Sequence, residues 1–228
     1  ATLAPGSTET LSRRTRGPAP DPRPPVRLGQ VRQAAEVDLK MARALNVAAA
    51  LVGVVVTAPI MLVVAILIKL TSRGPVVYTQ TRIGLNTRHR PPSTDMARRR
   101  VRDFGGRPFK IYKFRTMRVD AEAAGAAVWA SKDDPRVTAV GKVLRQYRLD
   151  ELPQLFNVLR GDMNVVGPRP ERPAIFATLR ETIPGYHLRQ NAMPGITGHA
   201  QTNQDYDTSI ESVRTKLAYD LEYIERRG

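Results

Sequence analysis

The longest uninterrupted pattern along this chain is apolar. Residues 44–68, ALNVAAALVGVVVTAPIMLVVAILI, carry no charged side chain, while Lys40 and Arg43 stand on one flank and Lys69 and Arg73 on the other. At about 1.5 Å per residue, a helix of this length is long enough to cross a bilayer core. Pro59 lies near its middle, where a missing backbone donor and a steric clash break or kink a helix. Basic residues on both flanks disfavour a simple crossing, because one of them would have to face outward. A re-entrant helix hairpin over residues 44–72, broken at Pro59 and entering and leaving the same leaflet, reconciles the two signals. Thr57 is placed to bond a carbonyl freed by the proline. A single kinked span and a buried soluble core helix are the alternatives.

After this segment the pattern becomes that of a small mixed fold. GPVVYTQTRIGL (74–85) predicts a short strand and turn. RPFKIYKFRTM (107–117) alternates Phe109 and Ile111 with Lys110, Lys113 and Arg115, which predicts a strand with a basic face. The Ala-rich DAEAAGAAVWA (120–130) predicts a helix, DDPRVT (133–138) a turn, and GKVLRQYRL (141–149) a short helix. Asp150 is a natural N-cap for the next helix, with Pro153 in its first turn. Leu152, Leu155, Phe156 and Leu159 form its apolar stripe, Arg160 suits its last turn and Gly161 follows as the C′ residue. GPRPERP (167–173) reads as a rigid extended segment, 174–183 as a helix ended by Pro184-Gly185, and MPGITGHAQ (193–201) as a loop. Residues 208–227 read as a final amphipathic helix.

Two stretches fall outside this pattern. Residues 1–40 are polar and Pro-rich, as in GPAPDPRPPVR (17–27), and read as a disordered tail without a signal-peptide core. Residues 86–106 form a basic insertion, whose RRR run suits either anionic headgroups or plain solvation. The chain has no Cys, so disulfides and thiolate metal sites are excluded. Lys and Arg number 36 against 21 Asp and Glu, an excess that calls for an anionic partner. Aromatics are sparse and no nucleic-acid-reading motif is present, so no nucleic acid is expected and an anionic lipid or phosphorylated substrate is favoured.

Candidate chemistry concentrates in RLDELPQLFNVLRGDMNVVGPRPERP (148–173). Asp150 at a helix start would be held ionised by the helix dipole and the orphan N–H groups. Such a carboxylate can attack phosphorus. Glu151 beside it adds a second negative charge, which calls for a cation, and Mg²⁺ suits one or two carboxylates plus phosphate oxygens. Lys113, Arg115, Arg145, Arg148 and Arg169 are candidates to clamp a diphosphate. His199 is a candidate sugar or base contact. Asp162 reads as a brace of the Gly161 turn. In isolation, Leu-Asp-Glu-Leu-Pro is more simply a capped helix with a surface Glu.

KFRTM, DPRVTAVGKVLR, LDELPQLFNVLRGDMNVVGPRP and GYHLRQNAMPGITGHAQ, in that order, resemble the bacterial sugar transferase family, the monotopic phosphoglycosyl transferases that begin lipid-linked glycan assembly. The resemblance covers about residues 44–225. It implies an α+β fold in which a re-entrant membrane helix hairpin and amphipathic interfacial helices join a small cytoplasmic α/β core. The implied domain spans 41–228, at the bacterial inner (cytoplasmic) membrane with the catalytic part facing the cytoplasm. The implied reaction passes a sugar-1-phosphate from a UDP-sugar to a polyprenyl (undecaprenyl) phosphate and releases UMP, as in exopolysaccharide synthesis. The family's nucleophile falls on Asp150, its Mg²⁺-linked glutamate on Glu151, and further motif residues on Lys113, Arg145 and Arg169. The chain departs from the family in its 86–106 insertion, in Ala58-Pro59 where Ser-Pro is common, and in His199 where many relatives have an aromatic residue. A basic membrane-anchored adaptor without enzymatic activity is the rival reading. The final helix and the Ala-rich segment offer surfaces for a homodimer.

Overall fold

A computed structural model describes residues 36–86, 105–121, 134–204 and 209–227. The expected tail, most of the basic insertion with its RRR run, and the Ala-rich helix lie outside the described residues.

The apolar segment forms one helix, α1 (Glu36–Thr71), with Pro59 inside it. The break expected at Pro59 is not formed. Proline forfeits one hydrogen bond, and the turns on either side carry the helix through. Thr57 does not bond the freed carbonyl either; its hydroxyl donates to Gly53 O one turn back (2.7 Å). What holds α1 is a stripe that no hydropathy pattern reveals. Ala50, Val64 and Ile68 are buried and Gly53 lies against Leu155, while Leu51, Val55, Val56, Leu62 and Val63 on other faces are exposed. The stripe continues on both sides of Pro59.

Both ends of α1 are tied to the rest of the molecule by polar contacts. Near its start, the Arg43 guanidinium donates to the carbonyls of Val158 (2.6 Å) and Leu159 (3.1 Å). Asn46 accepts from Val165 N (2.7 Å). At its end, Arg115 donates to Arg73 O (2.7 Å), Ser72 O (2.9 Å) and Ser72 Oγ (2.7 Å). Gly74 is needed for this clasp: its φ is +114° and a Cβ there would fall on the Arg115 guanidinium.

β1 (Val77–Ile83) and β2 (Pro108–Phe114) pair antiparallel, Val77 opposite Phe114 and Ile83 opposite Pro108. The open edge of β2 is covered by a side chain. Asn157, fully buried, accepts from Tyr112 N (2.9 Å) and donates to Lys110 O (2.7 Å), satisfying strand groups that would otherwise be orphaned. Asn157 belongs to α3 (Gln154–Arg160), which follows α2 (Ala139–Gln146) and a 3₁₀ turn at Leu149–Glu151. Thr138 caps α2, its hydroxyl accepting from Gly141 N. The buried face of α3 is Gln154, Asn157 and Val158, whereas Phe156 of the expected stripe is 44% exposed. Gly161 ends α3 with φ +87°, as expected.

A second, parallel pair joins β3 (Asn164–Val166) to β4 (Gly195–Thr197), so the expected 193–201 loop is partly strand and partly the short helix α5 (His199–Asn203). Between them lie α4 (Pro173–Thr182) and a 3₁₀ turn at Tyr186–Asn191. The final helix α6 (Ile210–Arg227) packs Val213 and Leu217 onto Phe176, Leu179, Ile183 and Tyr186. The described residues are thus α+β, with two small sheets and one long apolar helix.

Candidate active site

β2, the 3₁₀ turn and the Pro168–Glu171 segment bring four ionic side chains together. Lys113 shares the inward parity of Phe109 and Ile111, so it is not on an exposed basic face as the alternation suggested. Its ammonium lies 3.0 Å from Glu151 Oε1 and 3.9 Å from Asp150 Oδ2. Arg169 holds Glu151 from the other side with two contacts, 2.7 Å to Oε1 and 3.4 Å to Oε2. Arg148 Nη1 stands 3.9 Å from Glu151 Oε1. Arg145 contributes positive potential at Asp150, and its Nε donates to Thr116 Oγ1 (2.9 Å).

Arg169 is aimed by its backbone. Gly195 N donates to Pro168 O (3.0 Å), Arg189 to Arg169 O (3.0 Å), Arg82 to Pro170 O (3.1 Å) and Ile83 N to Glu171 O (3.0 Å). Arg189 in turn is buried against Asp220 (2.6 Å), Glu171 (3.3 Å) and the Tyr186 hydroxyl (2.8 Å). The pairings of Asn157 with Tyr112 and of Arg189 with Asp220 carry no local sequence signal, because they act across 45 and 31 residues of chain.

The turn carrying the carboxylates differs from the expected N-cap. Asp150 and Glu151 are inside the 3₁₀ turn, and α3 starts only after Pro153. The turn is entered through Arg148 in a left-handed conformation (φ 54°, ψ 22°), the one non-glycine residue of positive φ among the described residues. Such a conformation costs about 1–2 kcal/mol outside glycine.

The two carboxyls titrate in opposite directions. Burial pushes Asp150 above the ordinary carboxylate value; Lys113 opposes this and Glu151 adds to it. Burial thus opposes the expected effect of a helix start, which is to favour the ionised form of Asp150. Burial also penalises the Glu151 anion, but Arg169 and then Lys113 outweigh it and hold Glu151 at about 2. Lys113 is lowered to about 8, by burial first and then by Arg169. No hydrogen bond from a described residue reaches the Asp150 carboxylate. Glu151 is saturated, whereas its neighbour has free lone pairs.

Two candidates sit elsewhere. Arg115 donates to the carbonyls of Arg73 and Ser72 just beyond α1, where it acts as a clasp. His199 turns toward α6, its ring edge-on to Tyr219 with centroids 5.4 Å apart and its Nε2 3.7 Å from Glu222. Asp162 pairs with Arg160 (3.4 Å), in keeping with a brace at the Gly161 turn.

A cavity of about 270 Å³ adjoins the cluster. Arg148, Glu151, Leu152 and Leu155 form one wall. Ile196, Thr197, Gln201 and Thr202 form the other, the first three from the 193–201 stretch in which His199 is the candidate. The Gln201 amide oxygen is buried without a hydrogen-bond partner.

No group of three or more metal-ligating side chains exists among the described residues. A hard cation here would draw on the open carboxylate of Asp150. Ligation by Glu151 would require it to exchange a contact with Lys113 or Arg169, which already compensate its charge. One open carboxylate with a second beside it fits a Mg²⁺ completed by phosphate oxygens.

Known proteins bear on this arrangement. A Bacillus subtilis (strain 168) protein, provisionally named an undecaprenyl-phosphate N-acetylgalactosaminyl 1-phosphate transferase, is 45% identical over 151 residues, covering 66% of this chain and 73% of its own length. An Aeromonas hydrophila UDP-N-acetylgalactosamine-undecaprenyl-phosphate N-acetylgalactosaminephosphotransferase is 40% identical over 183 residues, 80% of this chain and 38% of its own. A Caulobacter vibrioides UDP-glucose:undecaprenyl-phosphate glucose-1-phosphate transferase is 38% identical over 221 residues, 96% of this chain and 70% of its own. The chain thus spans from well under half to about seven-tenths of the length of these relatives. The description "Bacterial sugar transferase" matches residues 37–228, which include every residue of the ionic cluster and the cavity. The chain belongs to the bacterial sugar transferase family, a family of enzymes.

Proposed function

We propose that this protein transfers a sugar-1-phosphate from a UDP-sugar to a polyprenyl phosphate through a phospho-sugar intermediate on Asp150. One observation supports the reading: Asp150 is a nearly buried carboxylate that accepts no hydrogen bond from the described residues, beside a glutamate held by two cations, with Lys113 at 3.9 Å and Arg145 and Arg169 adding positive potential. In the first step an Asp150 oxygen attacks the β-phosphorus of the donor, the bond between the two phosphates breaks and UMP leaves with its electron pair. In the second, an oxygen of the acceptor phosphate attacks the same phosphorus and the Asp150 carboxylate is released. Lys113, Arg145 and Arg169 bind and orient the donor's phosphates and offset the charge that builds on them.

Mg²⁺ belongs to this proposal. When bound, it would withdraw electron density from the phosphate oxygens. Asp150, with Glu151 beside it, would hold the ion. Chelation should remove turnover and added Mg²⁺ should restore it. The adaptor reading is set aside by membership of an enzyme family. The relatives' names span N-acetylgalactosamine and glucose, so a panel of UDP-sugars is the assay of choice.

The membrane placement is likewise proposed. A helix of 36 residues is about 54 Å long, well beyond the roughly 30 Å of bilayer hydrocarbon. Arg43 and Arg115 anchor its two ends to one folded body, which a crossing would have to place on both sides of the bilayer. We place α1 in one leaflet, its outer face in lipid and both ends on the cytoplasmic side. Cysteines at Arg43 and Arg73 should then label from the same side; labelling from opposite sides overturns the placement.

The chemistry is tested by incubating the protein with UDP-sugar alone. One equivalent of UMP and a mass increase of one sugar-phosphate, mapped to Asp150, are expected. UDP as product, or a label on another residue, would overturn the proposal.

A further inference from the structure

The cavity beside the ionic cluster has a polarity the chemistry has not yet used. At its inner end stand Arg148 and Glu151. Leu152, Leu155 and Ile196 make its floor apolar. Two of these residues are also the layer against which α1 rests: Leu155 meets Gly53, and Leu152 joins the cluster of Val64 and Ile68. Phe156, one residue on from Leu155, is 44% exposed and extends the apolar surface outward. Arg148 and Glu151 give it an ionic edge, Leu152, Leu155 and Ile196 an apolar side that is continuous with the packing of the helix assigned to lipid, and Thr197, Gln201 and Thr202 a polar side.

Arg148 supplies a second, independent observation. It alone among the described non-glycine residues takes a positive φ, and its side chain remains 52% exposed. Strain of this kind persists where the surroundings enforce it, and it clusters at ligand sites. Here it places a partly free guanidinium 3.9 Å from Glu151, at the junction of the cavity and the carboxylates. The volume, about 270 Å³, lies just below the roughly 300–1,000 Å³ of pockets that enclose whole drug-sized ligands. It suits a phosphate and the first units of a chain rather than an entire nucleotide-sugar.

We propose that this cavity is the acceptor subsite, with Arg148 binding the phosphate of a polyprenyl phosphate and Leu152, Leu155 and Ile196 lining the path of its first isoprene units. The assignment rests on the two-step reading above. The acceptor arrives as an anion, so its oxygen attacks the phosphorus of the Asp150 adduct without first losing a proton. A diphosphate P–O bond forms, the acyl-phosphate P–O bond breaks, and Asp150 leaves as carboxylate. The competing occupant is the sugar of the donor, whose hydroxyls would satisfy the Gln201 amide oxygen.

The two half-reactions separate these occupants. Two variants are made in the full chain: Arg148→Gln, which removes the guanidinium, and Thr202→Trp, which fills the cavity from an exposed position. UMP release from UDP-sugar alone reads the first half-reaction, and turnover with varied polyprenyl phosphate reads the second. Both variants should raise the acceptor KM about ten-fold or more, the scale of one charged hydrogen bond, and by far more than they slow the UMP burst. Arg148→Lys should recover part of the loss. A burst slowed as much as turnover, with acceptor KM unaltered, would assign the cavity to the donor's sugar and overturn the proposal. An unaltered acceptor KM in both variants would overturn it as well. A wild-type protein that releases no UMP without acceptor would sink the two-step reading itself, which the variants alone cannot do.

Discussion

Two ion-pair clusters meet at the Pro168–Glu171 segment and are made of the same side-chain types. In one, Arg189 is buried among Asp220, Glu171 and the Tyr186 hydroxyl, and Lys216 adds a 3.0 Å contact to Glu171. In the other, Lys113 and Arg169 hold Glu151. Each cluster keeps a glutamate at about 2 by surrounding it with cations that outweigh burial. They differ in what is left over. Arg189 and Asp220 bond each other directly, and their side chains are 4% and 2% exposed. Asp150 accepts no hydrogen bond from the described residues, and it is the chain neighbour of Glu151, which lines a cavity. An arginine-carboxylate cluster is therefore not a site by composition. The unspent acceptor next to a spent one is what marks it.

The comparison can be broken at its two aspartates. Asp150→Asn should lower turnover by on the order of 10⁴ or more, the scale seen when a covalent catalyst is deleted. Its melting temperature should hold, because no described hydrogen bond to that carboxylate is lost. Asp220→Asn should do the reverse. Removing one partner of a buried pair costs about 3–5 kcal/mol, a fall on the order of 10 °C for a chain of this size. Thermal scans and UMP assays on both variants check this; matched losses in both properties would erase the distinction between the clusters.

The paired glutamates sharpen the comparison through pH. Glu171 is held at about 2 against an ordinary 4.5. A depressed pKa stabilises the fold fully above 4.5, and the contribution is lost as pH falls toward 2. The loss is on the order of 3 kcal/mol, read as the fall in denaturant midpoint between pH 5 and 2. In Glu171→Gln that fall should be shallower. Lys113 gives the smallest effect. Its charge is lost as pH rises through about 8, so kcat/KM should decline about ten-fold per pH unit above that value. Lys113→Arg should flatten this alkaline limb, since arginine stays charged.

The ionic core of the site was legible because Lys113, Asp150, Glu151 and Arg169 lie in short motifs whose spacing survives folding. The partners of Arg115 and His199 were not legible because residue type says nothing of direction. Arg115 emerges just after β2 beside the end of α1 and is captured there by carbonyls. His199 opens a short helix and is drawn to Tyr219 of α6. The cap assigned to Asp150 failed because Arg148 takes a left-handed turn and Pro153 delays the helix. In α1, apolar residues lie on every face, so hydropathy could not reveal that Ala50, Val64 and Ile68 face protein. Pairings such as Asn157 with β2 and Arg189 with Asp220 are set only by tertiary approach.

The Arg115 clasp fixes a height. Two residues before it, near the end of β2, is Lys113, and at roughly 3.3 Å per residue their Cα atoms stand about 6.6 Å apart. One residue grips the last carbonyls of the helix proposed to lie in lipid; the other faces the carboxylates. Strand β2 thereby acts as a ruler between bilayer and reacting atoms, short and stiff, with no loop in which slack could collect. A phosphate riding at the headgroup level on an isoprenoid chain is confined to one plane. Under the proposed placement the reacting atoms must be held at a matching depth, and that depth would be set by a single guanidinium two residues along the chain from Lys113.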